Sequence, residues 1–208
     1  PHSPTIRLVC ISDTHTRRPR LLPGDMLIHA GDLTINGTPA QLEAQIHLLN
    51  SLDYAVKIVT AGNHDVCLDA AWCARNPRAN MSAINPDWGE IIYLQNSTAT
   101  IELYGRRLNA HGAPYTTRYG NWGFQYPPQE DIWHNSVPFD TDILITHGPA
   151  RGHVDADAGC AHLLGEVRRV RPKVHACGHV HGARGVQVCD WGWVHGDYDG
   201  AKMGEGGI

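Results

Sequence analysis

The sequence predicts an α/β domain, and three observations carry that reading. Short apolar, β-rich runs at 5–11, 26–30, 54–60, 141–146 and 173–177 lack a 3.6-residue period and read as buried strands. Amphipathic segments with helix-start and helix-stop residues lie among them, the alternation expected of a mostly parallel core sheet. Each of the five runs ends in polar, metal-competent side chains, and in open α/β sheets the carboxyl edge is where ligands bind.

Taken in order, the run Thr5–Ile11 ends in Ser12-Asp13-Thr14-His15, a DxH spacing that puts a carboxylate and an imidazole on one side of an extended chain. The stretch 16–22, with three arginines and a proline, reads as a loop. Met26–Ala30 is a second strand, closed by Gly31-Asp32. Thr38-Pro39 supplies an N-cap and an N1 proline, and Leu42, Ile46 and Leu49 recur at helical spacing, so 39–52 is a crossover helix. The strand 54–60 ends at Gly62-Asn63-His64-Asp65. A short helix is expected at 66–75 and irregular chain at 78–88, followed by strands at 91–94, 99–104 and 107–110, the last two joined by a hairpin at Tyr104-Gly105-Arg106.

The stretch 111–128 then reads as a long aromatic loop. It either walls a substrate pocket or fills a satellite core with Trp122 and Phe124. Strand 141–146 ends in His147-Gly148-Pro149. Helix 159–171 carries Leu163, Leu164, Val167 and Val170 on one face and stops at Pro172. Strand 173–177 ends in Gly178-His179-Val180-His181-Gly182, strands at 185–188 and 191–194 close the sheet region, and the Gly-rich end 204–208 is expected to be weakly ordered.

Composition narrows the function classes. At 208 residues with neither repeat nor linker, a single domain over 1–208 is expected. The 17 basic and 21 acidic residues leave a net charge of −4, which argues against long nucleic acids or anionic membranes as partners. No apolar run reaches membrane-spanning length and no signal-peptide pattern is visible. The six cysteines form no CxxC pair, which argues against a zinc–thiolate site and favours a reducing, cytoplasmic location; a Cys67–Cys73 disulfide stays open. Cys10 and Cys177 read as buried small hydrophobes. The chain begins Pro1-His2, consistent with a trimmed N-terminus.

The strand ends together offer Asp13, His15, Asp32, Asn63, His147, His179 and His181. Carboxylate, imidazole and amide oxygen without thiolate suit Mn, Fe, Zn or Ni. The set is too large for one tetrahedral zinc and fits two metals sharing a carboxylate.

The order DxH, GD, GNHD, a lone His after a strand, then GHxH resembles the calcineurin-like metallophosphoesterase superfamily, and all five blocks lie between Asp13 and His181. The segment GCAHLLGEVRRVRPKVHACGHVHGARG is most similar to the small metallophosphoesterase-domain-containing branch, which includes enzymes like class III cyclic-nucleotide phosphodiesterases. The resemblance implies a sandwich of mixed β-sheets flanked by helices, with a dinuclear site at strand C-terminal ends. Asp13, His15 and His181 would hold the first metal and Asn63, His147 and His179 the second, with Asp32 bridging. His64 would face the substrate phosphate as the catalytic side chain, oriented by Asp65. Some members of the branch replace the first His of GHxH by Gly; His179 is present here, so a complete dinuclear centre is expected.

Two cations about 3.5–4 Å apart lower the pKa of a bridging water and hold both the attacking and the leaving oxygens of an in-line displacement. A phosphodiesterase acting on a small-molecule phosphoester is therefore expected. The alternatives are a phosphomonoesterase, a metal-binding scaffold, and a metabolite enzyme reusing the centre for non-hydrolytic chemistry. His111 and Arg184 are candidate substrate contacts. Arg151, His153, Asp155 and Asp157 read as a solvated loop, and His29, His47, His134, His162, His175 and His195 as structural or surface histidines.

Overall fold

The computed structural model of the chain describes residues 5–189 and 202–203. Strands β1 (Leu8–Ile11), β2 (Met26–Ala30), β3 (Val56–Thr60) and β4 (Ile91–Tyr93) form an all-parallel sheet in that spatial order. Helix α1 (Pro39–Asn50) makes the crossover from β2 to β3, and α2 (Ala70–Arg75) follows β3. The chain continues into β5 (Ser97–Leu103), β6 (Arg106–Ala113), the two-residue strands β7 (Thr116–Thr117) and β8 (Gln125–Tyr126), β9 (Ile143–Thr146), helix α3 (Ala161–Val170) and β10 (Val174–Ala176). A second sheet runs β10-β9-β6-β5, parallel except for the β5–β6 hairpin.

Strand alternation decides the layering. Met26, Ile28 and Ala30 of β2, with Ile58 of β3, meet Ala110, Ile143 and Ile145 of the second sheet, so one core lies between the sheets. Leu27 and Val59 face the other way, onto Leu42, Ile46 and Leu49 of α1. Leu144 and Ala113 of the second sheet meet Leu163, Val167 and Val170 of α3, together with Trp133. The order is therefore helix, sheet, sheet, helix. Because β2 and β9 are covered on both faces, they are buried along their whole length and mostly apolar, with His29 and Thr146 the polar members.

Local chemistry sets several boundaries. Thr38 Oγ1 accepts from the Gln41 N–H at 3.3 Å and caps α1, with Pro39 in its first turn. Tyr104 and Gly105, at φ +51° and +73°, form the two-residue turn of the β5–β6 hairpin. Arg171, at φ +55°, ends α3 before Pro172.

Other expectations change. The two four-stranded sheets are the sandwich that the resemblance implied, where strand patterning alone had pointed to one mostly parallel core sheet. β1 begins at Leu8, and as an edge strand it leaves Cys10 exposed; Cys177 is half-buried, and Cys67 and Cys73 are both free thiols. The segment 66–75 splits into a 3-10 turn (Val66–Leu68) and α2, because the Asp69 carboxylate caps Trp72 N–H at 2.9 Å. β6 runs on to Ala113, and β7 pairs with β8, so 111–128 is not one loop. The residues at 187–188 join neither main sheet: β11 (Gln187–Val188) pairs antiparallel with β12 (Lys202–Met203). The strand expected at 191–194 and the Gly-rich end 204–208 lie outside the described residues. No described helix is long and apolar enough to cross a membrane.

Candidate metal centre

The carboxyl ends of both sheets meet at one edge. From the first sheet, the turn after β1 brings Asp13 and His15, the turn after β2 brings Asp32, and the turn after β3 brings Asn63. The first two turns are zipped by backbone bonds: Asp13 N–H to Gly31 O at 2.9 Å, His15 N–H to Asp32 O at 3.0 Å and Thr16 N–H to Leu33 O at 2.8 Å. The second sheet adds His147 after β9, and His179 and His181 after β10. The His179 N–H reaches both carboxylate oxygens of Asp13, at 3.1 and 3.0 Å, which ties the two sheets together at the site.

Two donor clusters result, each with its donor atoms within 4.8 Å of one another: Asp13, His15, Asp32 and His181, and Asp32, His147 and His179. Asp32 belongs to both. Asn63 Oδ1 lies 3.1 Å from His147 Nε2 and so adjoins the second cluster. Asp13, His15, Asp32 and His179 all have positive φ, at 53°, 44°, 57° and 69°. Such a backbone costs about 1–3 kcal/mol per non-glycine residue and persists where surrounding contacts over-determine it, as at ligand sites.

Imidazole orientation tests the fit to a cation. His15 Nδ1 lies 2.9 Å from Thr34 O and His147 Nδ1 2.7 Å from Ala30 O, so each Nδ1 carries the proton and each Nε2 is turned into the cluster. His147 Nε2 then faces Asn63 Oδ1 and, at 3.3 Å, Asp32 Oδ1, which are three acceptor atoms around one point. His15 Nε2 likewise stands 3.2 Å from His181 Nε2 and 3.7 Å from Asp32 Oδ2. Positive charge is what these acceptors lack, and a metal ion satisfies several donors at once. The electrostatics agree. Burial works against the His147 imidazolium, but the Asp32 carboxylate outweighs it and holds that group up to about 9. Burial likewise opposes the charged form of Asp32, and His147 overrides it, keeping Asp32 well below the usual carboxylate range. His179 is pushed down to about 4 by burial and the neighbouring His147.

His64 adjoins the clusters, half-buried, with its ring edge-on to His15 at 4.8 Å. Its Nδ1 lies 2.6 Å from Ile35 O, which fixes the proton on Nδ1 and leaves Nε2 free. Asp65 is not the group that orients it, contrary to the sequence reading. The Asp65 carboxylate is fully buried and accepts from Leu33 N–H (3.2 Å), Thr34 N–H (2.9 Å), Thr34 Oγ1 (2.7 Å) and Gly62 N–H (2.8 Å). It staples the turn after β2 to the turn after β3. Burial and the Asp32 charge push it up to about 6, still ionised at neutral pH, where four donors demand an acceptor.

The two candidate substrate contacts separate. His111 is 3% exposed inside β6, opposite Leu144, with Nδ1 on Thr98 Oγ1 at 3.0 Å. A substrate would have to enter the sheet to touch it, so the contact reading of His111 gives way to a buried sheet side chain. Arg184 is exposed, just beyond the turn that follows His181. Asp155, expected to be solvated, is buried and accepts from Gly152 and Gly159 N–H at 2.9 and 3.0 Å. The former loop region divides: Phe124 joins the α1 core, whereas Trp122 stacks on His64. Sequence reasoning missed that stack and the carbonyls of Ala30, Thr34 and Ile35, because backbone acceptors leave no residue-type signal.

Fold and donor set together define a metallophosphoesterase. A family model described as calcineurin-like phosphoesterase matches residues 6–183, and the chain belongs to that family. It is 42% identical over 207 residues to the probable rhamnogalacturonate lyase C of Emericella nidulans, covering 96% of this chain and 19% of that protein. It is 38% identical over 208 residues to human metallophosphoesterase domain-containing protein 1, covering 88% of this chain and 62% of the relative. The chain thus spans less than two thirds of the length of these relatives. TT1561 of Thermus thermophilus shares the fold, with a TM-score of 0.56 at 13% identity over 88% of this chain and 84% of that one.

Proposed function

We propose that the chain is a two-metal phosphodiesterase acting on a small-molecule phosphoester. The observation that carries this reading is the pair of donor clusters sharing Asp32, with His64 beside them. Asp13, His15 and His181 are assigned to one cation and Asn63, His147 and His179 to the other, with Asp32 common to both. Mn, Fe, Zn or Ni ions held there would neutralise phosphoryl charge and acidify the attacking water.

This chain's own residues do the rest. Ile35 O accepts the His64 Nδ1 proton, so Nε2 is the atom that can carry a proton to a leaving alkoxide. Asp65 holds the turns after β2 and β3 in register, so that Asp32 and His64 meet; the His64 N–H bonds Asp32 Oδ1 at 2.8 Å. Arg184, just beyond the turn that follows His181, supplies a cationic group for a phosphoryl oxygen.

The test is hydrolysis of bis(p-nitrophenyl) phosphate against p-nitrophenyl phosphate, with and without Mn²⁺. Metal-dependent turnover favouring the diester is expected, with loss in Asn63→Ala. His64→Ala is expected to keep its metal and lose roughly 10²–10⁴-fold in kcat toward diesters with an alkoxide leaving group, the range for a positioned proton donor. A wild-type protein that binds metal and hydrolyses neither ester refutes the reading, and a monoester preference moves it to a phosphomonoesterase.

A further inference from the structure

We propose that Trp122 is a positioning residue for His64, a role that rests on His64 being the proton donor proposed above. The two rings stack with centroids 3.9 Å apart and an interplanar angle of 27°. His15 meets the same imidazole edge-on, at 4.8 Å and 79°. With Nδ1 held at 2.6 Å by Ile35 O, the ring's remaining freedom is to swing about that bond, and the indole face blocks the swing. Hinge, face and edge together define where Nε2 sits.

Trp122 is itself fixed, and to the turn that carries its target. Gly123 N–H donates to Asn63 O at 3.0 Å, and Phe124 N–H to Asp69 Oδ2 at 2.7 Å. Trp72 Nε1–H donates to Asn121 O at 3.3 Å, and Asn121 Nδ2–H to Asn76 Oδ1 at 2.8 Å. The indole also packs on the cluster of Val66, Trp72 and Cys73. A Cβ added at Gly123 would sit 3.4 Å from Asn63 O, so the strap lies directly against the backbone of the metal-donor turn. No substrate is needed to place Trp122. Its position is preset by the fold, as a positioning group requires.

Displacing a catalytic group by about 1 Å can cost on the order of 10²-fold in rate. Trp122→Ala is therefore expected to lower kcat by about 10–100-fold while KM stays within about twofold. Trp122→Phe, which keeps a flat ring, is expected to recover most of the loss. The loss is expected to be larger for diesters with an alkoxide leaving group than for p-nitrophenolate, which leaves without a proton. In a His64→Ala background, Trp122→Ala is expected to change nothing further, because the two act as a unit.

A readout without turnover accompanies these. In Zn²⁺-loaded protein, the His64 ring protons are expected upfield in the NMR spectrum under the indole ring current. They are expected to lose that shift and broaden in Trp122→Ala, with the melting temperature recorded alongside. Additive losses in the double variant, or a raised KM with kcat intact, would make Trp122 a substrate wall and overturn the proposal. So would His64 signals that Trp122→Ala leaves unmoved. Absence of turnover in wild type as well would instead count against the hydrolase reading, and the NMR comparison would still decide the positioning role.

Discussion

His29 lies in β2 with 1% of its surface exposed, its Nε2 2.9 Å from Thr14 Oγ1 and, among the described residues, no partner for its Nδ1. Thr14 stands between Asp13 and His15, so this buried imidazole braces the DxH turn from below. Burial pushes it from 6.5 down to about 4. Between those values an unfolded chain binds the proton and the folded one does not, so stability rises with pH across that window and is lost as pH falls from about 6.5 to 4. At about 1.4 kcal/mol per pH unit the gap corresponds to about 3 kcal/mol. Urea unfolding of metal-free protein at a series of pH values is expected to show a smaller acid loss in His29→Gln than in wild type; equal slopes would refute it. The sequence reading of His29 as structural fits its place here. The reading of Asp65 failed for a geometric reason: adjacent side chains diverge in a turn, and Asp65 turns toward Leu33 and Thr34, which only the fold brings near.

At the scale of elements, the same pattern that made the donor set legible also has a packing cause. Strand ends in this protein read apolar run, glycine, donor, as at Gly31-Asp32, Gly62-Asn63 and Gly178-His179. A Cβ at Gly62 would overlap Asp32, one at Gly178 would overlap Asp13, and one at Gly31 would lie 2.6 Å from His147 Nδ1. Each glycine is the point where one strand end passes a donor from another. Gly62→Ala and Gly178→Ala are therefore expected to weaken Mn²⁺ binding on the order of 10–100-fold, the range for disturbing groups that orient metal ligands. Gly165→Ala in α3, whose Cβ would meet nothing within 4 Å, is the control: it should raise helix stability and leave titration calorimetry of Mn²⁺ unchanged. Apolar runs, caps and the hairpin turn were readable because their signals are local. The split into two sheets has no local signal, because it depends on which strands pair, and was legible only through the family resemblance. β6 likewise runs on through His111, Gly112 and Ala113, residues of weak strand preference, because β9 pairs alongside them up to Ala113–Thr146.

For the whole molecule, the consequence of that split is that neither sheet holds a complete donor cluster. Asp13, His15 and Asp32 come from the first sheet but need His181 from the second; His147 and His179 come from the second but need Asp32 from the first. Without a cation the sheets are joined by their shared apolar core and, at the site, by contacts such as His179 N–H to Asp13. A cation bound across them adds a link that the unfolded chain cannot make. At a free concentration about 1,000 times its Kd, a single such ligand stabilises the fold by about 4 kcal/mol. Saturating Mn²⁺ is therefore expected to raise the unfolding midpoint, and EDTA to reverse the rise. Hydrogen exchange locates the effect. Added metal is expected to slow exchange at the turns after β1, β2 and β3 and, to the same extent, at those after β9 and β10. Protection confined to the first sheet's turns would mean that the cation is held by one sheet alone, and the donor clusters would have to be redrawn without His147, His179 and His181.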